Sequence, residues 1–570
     1  MNCDILFYNG TIFNTTFKKF YNGFFATRDG CVLRMGEGEP PASLDAKQKV
    51  NLRKKTVVPG LIDVHMHIES SMLVPLCFAD ELVKHGITTI VSEPHEMANV
   101  AGADGIFAMI NAGKGAPLDI YYGAPSSVPS TSLELETTGG VIDTEDLAAL
   151  LANPDVKCLG EVMNTRDVVY NKSGKTNGII REFKRLDPRL PREGHCPRLV
   201  GDELAEYLFE GVDSDHTDHT MEEFKERYFN GMFVEIQDKT LTKELVDYVE
   251  KNDLYTDTAL VTDDVMADEF VRDGGLDYIV RRAIALGMSP ENAIYCATKT
   301  PAVRMLLNDR GDLRPGKLAD FAVLSDLNAF CVEQTYKKGN CVFDRESHEE
   351  KKRGRPSFDE SYFHSVKLEK IGEDDFTIEC AKERAQCRVI ETCSDSTATR
   401  MVLCDMKSVG GQLLWENSEI LQVKVFERYG INKNSACGLV TGALIKHGAI
   451  ASTYCHDHHN LIVAGSTKCD MAIASNCVIE MSGGLAVVLD GKVIAKAALP
   501  IGGILSDKPA VEFAKDIENV TAAMRSLGYD HYDPIMSFCT LSLPVSPDLK
   551  ITDVGLIEVK TQKKVDLFVE

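Results

Sequence analysis

Apolar runs alternate with amphipathic stretches through the first half of the chain. Between residues 56 and 308, short apolar segments such as ITTIVSE predict strands. They alternate with segments such as LTKELVDYVEK, whose apolar residues recur at helical spacing. Strands that alternate with helices are typical of βαβ units and a parallel sheet. Roughly eight units in roughly 250 residues are the size of a (β/α)8 barrel, and we expect residues 56–308 to form one.

Short strands broken by turns occur on both sides of this predicted barrel. Residues 1–55 contain DILFYNGTIFN and GFFATRDGCVLRMG, and a similar pattern returns in KLADFAVLSDL. We therefore expect residues 1–55 and 309–346 to form one small β-sandwich domain. The charged segment RESHEEKKRGRPSFDES then predicts a boundary. Residues 347–570 mix strands such as NLIVAG with helices such as VEFAKDIENVTAAMRSLG, which predicts a C-terminal α/β domain and an α/β fold class overall.

Polar residues interrupt the apolar pattern where several barrel strands end. The stretch VVPGLIDVHMHIESS places His65 and His67 at alternate positions, so both imidazoles share one face of the first strand. Burying such groups is costly unless a partner satisfies them. Barrel active sites form at this end of the strands, and imidazoles with carboxylates are typical ligands of divalent transition metals. The predicted ligands are His65, His67, Glu161, His195, His216 and Asp263.

Composition and charge limit the possible partners and cellular location of the protein, and they leave the predicted fold unchanged. The net charge of −24 and the pI near 5.1 argue against a nucleic-acid partner, which would favour a basic surface. The 17 cysteines form no C-x-x-C pair, and the first residues, MNCDILFYNG, do not have the pattern of a signal peptide. No apolar run is long enough to predict a membrane span. We expect a cytoplasmic protein without a membrane partner.

Several motifs, in this order along the chain, are similar to those of one enzyme family. They include PGLIDVHMHIESSML, SEPHEMANV, LGEVMN, EGHCPRL, SDHTDHTMEEF and VTDD, followed in the last third by GAIASTYCHDHHNLIVAGS. On these motifs the chain resembles the amidohydrolase superfamily and, within it, the bacterial-type adenine deaminases. Among the positions that depart from the pattern of the family are Arg198, where the family commonly has Gly, and Thr217, where it commonly has Glu.

The resemblance implies hydrolytic deamination of adenine to hypoxanthine and ammonia. It also implies two divalent ions per chain, manganese or iron, with zinc as an alternative. One ion would be held by His65, His67 and Asp263, the other by His195 and His216, with Glu161 between them. Glu161 would replace the carboxylated lysine that other amidohydrolases use. Asp263 and Glu161 are the expected catalytic residues, with Asp263 as the general base.

Residues that follow the first two strands are predicted to bind the substrate. They are Glu69, Ser70 and Ser71 after the first strand, and His95 and Glu96 after the second. A purine offers ring nitrogens and an exocyclic amine, for which carboxylates, hydroxyls and an imidazole are suitable partners. Ser70 and Ser71 have an alternative role as caps of the next helix.

Other polar residues carry weaker expectations. His85 lies in a helix-to-strand turn and is predicted to be structural, whereas His219 is predicted to be solvated at a helix start. Asp264 should point away from the metal face if its strand continues. The cluster HDHHN at 456–460 predicts a second metal site, a lid over the barrel, or simply a polar surface loop.

Two other functions stay open at this point. One is a different amidohydrolase reaction, such as deamination of a related aminopurine or hydrolysis of a cyclic amide. The other is a metal-free protein that binds or assembles. Cytidine-type zinc deaminases are excluded because they pair an H-x-E motif with P-C-x-x-C, and the sequence contains no P-C-x-x-C. The expected partner is a small purine base, and a homodimer is the default assembly.

Overall fold

A barrel of eight parallel strands forms the centre of the protein. The computed structural model describes residues 1–347 and 358–569, so the predicted boundary segment at 345–361 lies partly outside the described residues. The barrel strands are Leu61–Met66, Ile87–Ser92, Asp119–Ala124, Val156–Val162, Arg192–Gly194, Ser214–Asp215, Phe233–Ile236 and Thr258–Leu260. The first two are buried along their whole length, as expected for parallel strands covered on both faces.

Two backbone hydrogen bonds join the five-stranded and three-stranded parts of the barrel. The Asp213 amide donates to the Arg192 carbonyl at 3.3 Å, and the Asp263 amide donates to the His65 carbonyl at 3.0 Å. The second bond ties the end of the last strand to the end of the first. The predicted fold class is therefore confirmed, and two predicted ligand residues lie at the seam where the barrel closes.

Amphipathic helices surround the barrel. Lys243–Lys251 illustrates why they form: Leu245 and Val249, at a spacing of four, are both buried, and the Thr242 side chain caps the first turn by accepting from the Leu245 amide. The helices of this region are Pro75–Leu82, His95–Ala112, Thr144–Leu151, Thr165–Tyr170, Lys175–Leu186, Gly201–Glu210, Met221–Phe229, Lys243–Lys251, Ala267–Asp273, Leu276–Ala285, Pro290–Cys296 and Lys299–Arg304.

Both flanks of the barrel contribute to one eight-stranded sheet. Thr56–Pro59, just before the barrel, pairs antiparallel with Phe321–Asp326, just after it. Phe7, Phe25, Phe321 and Tyr336 fill its core with ring centroids between 4.4 and 5.3 Å apart. The strands are Asn2–Asn14, Lys19–Arg28, Cys31–Glu37, Asp45–Asn51, Thr56–Pro59, Phe321–Asp326, Cys331–Lys337 and Asn340–Asp344.

The C-terminal region is built on a nine-stranded sheet and a smaller three-stranded sheet. The larger sheet contains Arg384–Thr392, Thr399–Val409, Gln412–Leu413, Leu421–Phe426, Ser435–Gly442, Ala449–Ser452, Leu461–Gly465, Gly484–Leu489 and Lys492–Ala498. The smaller sheet contains Leu549–Thr552, Gly555–Glu558 and Lys563–Val565, and the helices are Lys468–Glu480, Ala510–Ser526 and Pro534–Cys539.

This C-terminal region is fastened to the loops at the open end of the barrel. The Ser506 amide donates to the Met72 carbonyl at 2.8 Å, and the Val74 amide returns a bond of 3.0 Å to the Ser506 carbonyl. Further along, Thr137 donates to the Asp553 carboxylate through its amide and its hydroxyl. Within the described ranges, no helix is both long and apolar enough to cross a membrane.

We expect Phe7→Ala to destabilise the protein by about 3–5 kcal/mol, because it empties a fully buried aromatic position in the flank sheet. Urea unfolding followed by circular dichroism would measure the loss. Phe17→Ala is the matched control, since Phe17 is 72% exposed and its removal should change the free energy of unfolding by less than about 0.5 kcal/mol. Equal effects of the two variants would contradict the assigned core.

Candidate active site

The strand ends bring the six predicted ligand residues into one cluster, in which every residue except the half-buried His195 is buried. On one side, the His67 Nε2 atom lies 3.4 Å from Asp263 Oδ1 and 3.6 Å from Glu161 Oε1. His65 Nε2 lies 3.7 Å from the same Asp263 oxygen. The ends of the first, fourth and last strands therefore place the two imidazoles of the first strand between the carboxylates of Glu161 and Asp263.

The other side of the cluster is formed by the fifth and sixth strands. His195 Nδ1 lies 2.9 Å from Glu161 Oε2, and His216 Nε2 lies 3.5 Å from it. These two nitrogens are 3.1 Å apart. Glu161 therefore contacts the first histidine group through Oε1 and the second group through Oε2. It is the side chain that joins the two halves of the cluster.

Local backbone geometry explains why both Asp263 and Asp264 face the cluster. The last strand ends at Leu260, and Asp263 adopts a positive φ of 60°, so the alternation of a strand no longer applies there. Asp264 Oδ1 accepts a 2.5 Å hydrogen bond from the Ser70 hydroxyl. The expectation that Asp264 points away is therefore wrong, because the strand does not continue through it.

Mutual charge neutralisation sets the protonation of the central groups. Burial alone would raise the pKa of the Glu161 carboxyl, but His195, His216 and His67 hold this pKa well below its usual range. The pKa of Asp263 is likewise held low, against burial, by His216 and His67. Both carboxylates are therefore ionised, as ligands of a cation must be.

The donor set fits a divalent transition metal. Several overlapping groups of three residues bring ligand atoms within 4.8 Å of one another, among them His65, His67 and Glu161, and Glu161, His195 and His216. Two buried ring nitrogens of this set, His65 Nε2 and His216 Nδ1, have no hydrogen-bond partner within the described residues. Imidazole nitrogen and carboxylate oxygen suit manganese, iron and zinc.

Two residues that the sequence analysis missed hold the central pair in place, Gln237 at the side chain of Asp263 and Glu93 at the backbone of Glu161. Gln237 donates from Nε2 to Asp263 Oδ2 at 2.7 Å and also to the His216 carbonyl at 3.1 Å. Glu93 Oε2 accepts from the Glu161 amide at 3.2 Å. Each of the two residues directly follows a barrel strand, so its position at the end of a strand could have identified it from the sequence.

A buried network lies behind His195 and His216. Asp215 accepts from Arg227 Nε at 2.7 Å and from the Cys196 thiol at 3.0 Å, and lies 2.6 Å from His219 Nε2. The prediction that His219 is solvated is wrong, because its side chain is only 1% exposed. The helix after the sixth strand packs His219 inward, where Asp215 provides its partner.

The predicted substrate residues of the first loop divide into two groups. Glu69 is fully buried in the short 3-10 helix Glu69–Ser71, and neither carboxyl oxygen has a hydrogen-bond partner among the described side chains. Ser70 contacts Asp264 and, at 3.3 Å, Glu96 Oε1. Ser71 instead donates to the Ile68 carbonyl at 2.6 Å, within its own turn.

The alternative role of the serines as helix caps is not observed. The next helix, Pro75–Leu82, begins after Val74 and has no side-chain cap. His85 lies away from the cluster and contacts Asp277 at 3.2 Å, in agreement with a structural role.

The second loop and the C-terminal region complete the arrangement. His95 Nδ1 lies 3.5 Å from Glu161 Oε1, so it adjoins the cluster directly. Glu96 is fully buried and faces His456 at 3.7 Å. The surface-loop interpretation of 456–460 is wrong, since all five residues are buried.

Comparisons with known proteins agree with this architecture. The Amidohydrolase family matches residues 56–226 and 243–342, and the Adenine deaminase C-terminal domain matches residues 396–563. The barrel carries candidate metal ligands at the ends of its strands and matches the Amidohydrolase family, so the protein is an amidohydrolase.

Curated relatives narrow the assignment. An adenine deaminase of Clostridium perfringens is 44% identical over 573 residues, covering 100% of both chains. An adenine deaminase 2 of Shouchella clausii is 42% identical, covering 100% of this chain and 99% of the relative. A crystal structure of an adenine deaminase has a TM-score of 0.46 at 17% identity and covers 60% of this chain and 100% of its own. The chain belongs to the adenine deaminase family.

We expect Glu161→Gln to lose bound metal, with metal affinity reduced by more than about 100-fold. The neutral amide keeps the shape of Glu161 but cannot neutralise positive charge on both sides of the cluster. Metal content per chain after dialysis would measure the loss. Glu145→Gln is the control, because Glu145 is exposed on a barrel helix. An otherwise normal Glu161→Gln variant with full metal would remove Glu161 from the centre of the site.

Proposed function

We propose that the protein hydrolyses adenine to hypoxanthine and ammonia at the cluster around Glu161. The observation that carries this proposal is the contact of one buried carboxylate with two histidine groups, beside further buried polar residues on the first two strand loops. The identity of 44% to a protein named adenine deaminase, over the whole of both chains, supports the same reaction.

The proposed metal site divides into two halves that share Glu161. His65, His67 and Asp263 would hold one ion, and His195 and His216 would hold the other, with manganese or iron expected and zinc as an alternative. Two ions bound there would lower the pKa of a water molecule and supply a hydroxide nucleophile near neutral pH. The overlapping ligand groups on both sides of Glu161 support this division.

Asp263 is the proposed general base. Gln237 occupies its Oδ2 atom, whereas Oδ1 lies at the centre of the cluster, 3.4 Å from His67 Nε2. This arrangement leaves one carboxylate oxygen directed toward the reacting groups and fixes its orientation. A base in that place would accept a proton from the attacking water and transfer it to the leaving amine.

Glu69, Ser70, His95 and Glu96 are the proposed partners of the purine ring. Burial and the neighbouring Glu96 raise the pKa of Glu69 to about 8. A protonated Glu69 carboxyl offers both a donor and an acceptor, which matches adjacent ring nitrogens of a purine. Ser71 has a weaker claim to this role, because its hydroxyl is bonded within its own turn.

The departures from the family pattern at Thr217 and Arg198 do not favour another substrate. Thr217 donates from its hydroxyl to Asp215 at 2.9 Å and so belongs to the network behind the histidines. Arg198 is exposed. The decisive experiment incubates metal-loaded enzyme with adenine, guanine and adenosine and follows ammonia release. Release from guanine alone, or from none of the three, would reject the proposed reaction.

We expect Asp263→Asn to lower kcat for adenine by about 10²–10⁴-fold, because asparagine cannot accept the proton. Asp264→Asn should lower activity less and keep its metal. The Asp264 carboxylate accepts a hydrogen bond from the Ser70 hydroxyl and is not one of the two central carboxylates. Steady-state kinetics and metal content measured on the same preparations would compare the two. If Asp264→Asn proves the inactive variant, the base is misassigned by one residue.

We expect Glu69→Leu to retain metal yet lose about 10- to 100-fold in kcat/KM for adenine, because leucine fills a similar volume but removes both the donor and the acceptor that Glu69 offers to the ring. The measurement pairs metal analysis with adenine kinetics. Unchanged kinetics at full metal would exclude Glu69 from substrate binding, whereas lost metal would place it among the ligands.

A further inference from the structure

The loop at 454–460 of the C-terminal region is buried against the barrel mouth. Tyr454 and His459 are 0% exposed, His456 is 6% exposed and Asp457 is 2% exposed. A segment that carries three histidines and an aspartate is costly to bury unless these groups find partners. Its partners lie on the second strand loop of the barrel, at residues already placed beside the metal-ligand cluster.

Three side chains of this loop surround Glu96. The Tyr454 hydroxyl donates to Glu96 Oε1 at 3.4 Å, and His456 Nδ1 lies 3.7 Å from the same oxygen. His459 Nε2 lies 3.8 Å from Glu96 Oε2. The carboxylate of Glu96 is therefore oriented jointly by Ser70 of the first barrel loop and by three side chains of the C-terminal region.

Asp457 reaches the other residue of the second loop. Its Oδ1 atom lies 3.9 Å from His95 Nε2, while His95 Nδ1 lies 3.5 Å from Glu161 Oε1. A single imidazole therefore separates Asp457 from the carboxylate that joins the two halves of the cluster. Asp457 is therefore too close to the metal-ligand cluster for its contact with His95 to serve only to join the two domains.

The loop is fixed in place by Arg428 and Asn460. Arg428 is fully buried and donates to the His459 carbonyl, to the Gly502 carbonyl at 2.7 Å and to the Ser365 hydroxyl at 2.8 Å. Asn460 accepts from the Arg428 amide at 3.2 Å and donates to the Thr137 carbonyl of the barrel at 2.8 Å. Such anchoring gives the loop the rigidity of a binding-site wall.

The contacts of His456 and Asp457 show which of their side-chain atoms are free to bind a ligand. His456 Nδ1 lies 3.3 Å from Asp457 Oδ1 as well as near Glu96, so this nitrogen carries the proton that faces two carboxylates. Against the effect of burial, Glu96 and Asp457 raise the pKa of His456 to about 9, so the ring is protonated and Nε2 is a donor. His456 Nε2 and Asp457 Oδ2 are both buried and have no hydrogen-bond partner in the part of the chain that the structure describes.

We propose that the 454–460 loop forms the second wall of the purine pocket, in which His456 and Asp457 orient Glu96 and His95 and offer one donor atom and one acceptor atom to the base. This inference rests on the proposed deamination of adenine. An aminopurine carries acceptor ring nitrogens as well as N–H groups, which suit a buried donor and a buried acceptor without partners. The C-terminal region then supplies substrate-binding residues to a barrel that holds the metal ligands.

The test compares His456→Leu with His456→Asn in the full-length, metal-loaded protein. Leucine has a similar size but neither donates nor accepts, whereas the asparagine amide can place an N–H near the position of Nδ1. We expect His456→Leu to lower kcat/KM for adenine by about 10- to 100-fold, with most of the loss in KM. Hypoxanthine binding, measured by calorimetry, should weaken by a similar factor, and His456→Asn should recover part of both.

Metal content and thermal melting of each variant separate a pocket role from a structural one. His447→Leu is the control, because His447 is exposed in the same region and should leave all four measurements unchanged. Asp457→Asn is a second variant, which weakens the contact with His95. We expect it to keep its metal and to lose adenine turnover and hypoxanthine affinity.

The outcomes distinguish this inference from the function on which it rests. Wild-type protein that is loaded with metal but releases no ammonia from adenine would reject the proposed function. Active wild-type enzyme, with KM and hypoxanthine affinity unchanged in His456→Leu and Asp457→Asn, would reject the role of the loop. If His456→Leu melts early or loses metal, unchanged kinetics of His456→Asn and Asp457→Asn would overturn the inference, and a graded loss at full metal would support it.

Discussion

The Glu161 carboxylate is the group on which the arrangement of the candidate site depends. Its two oxygens contact histidines from opposite sides of the barrel, His67 through one and His195 through the other. Burial alone would raise the pKa of this carboxyl, and the neighbouring histidines hold it low instead, so that Glu161 remains charged at the centre of the cluster. Glu93 accepts from the backbone amide of Glu161 and Gln237 donates to the Asp263 carboxylate, so the two residues help to keep the central groups in one orientation.

This constraint also explains why the barrel alone does not make the whole site. Its strand ends are occupied by the ligand cluster, so groups that recognise a planar base must come from longer loops or from another part of the chain. His95 and Glu96 begin the long helix after the second strand, and both meet the C-terminal region there. In the proposed function, the strand ends would bind metal, and the loops after the first two strands, together with the C-terminal region, would bind the base.

Periodicity predicted those features that depend on local sequence. The alternation in DVHMH placed His65 and His67 on one face, and the strand–helix repeat gave the barrel. The same rule failed for Asp264, because the strand had ended and Asp263 adopts a positive φ. The prediction for His219 failed for a different reason. The turn between the sixth strand and the next helix brings His219 against Asp215, and strand periodicity does not describe a turn. The position of 454–460 was not predictable from periodicity, since its contacts lie more than three hundred residues away in sequence.

The eight-stranded flank sheet has a consequence for how the protein is made. Pro59 and Phe321 are paired neighbours in that sheet, although the whole barrel lies between them in sequence. On a ribosome the first strands emerge long before their partners, and they expose the aromatic surface of Phe7 and Phe25 until the barrel is complete. Closure of the sheet therefore comes late, as a step of high contact order that joins the beginning of the chain to a segment synthesised after the catalytic barrel.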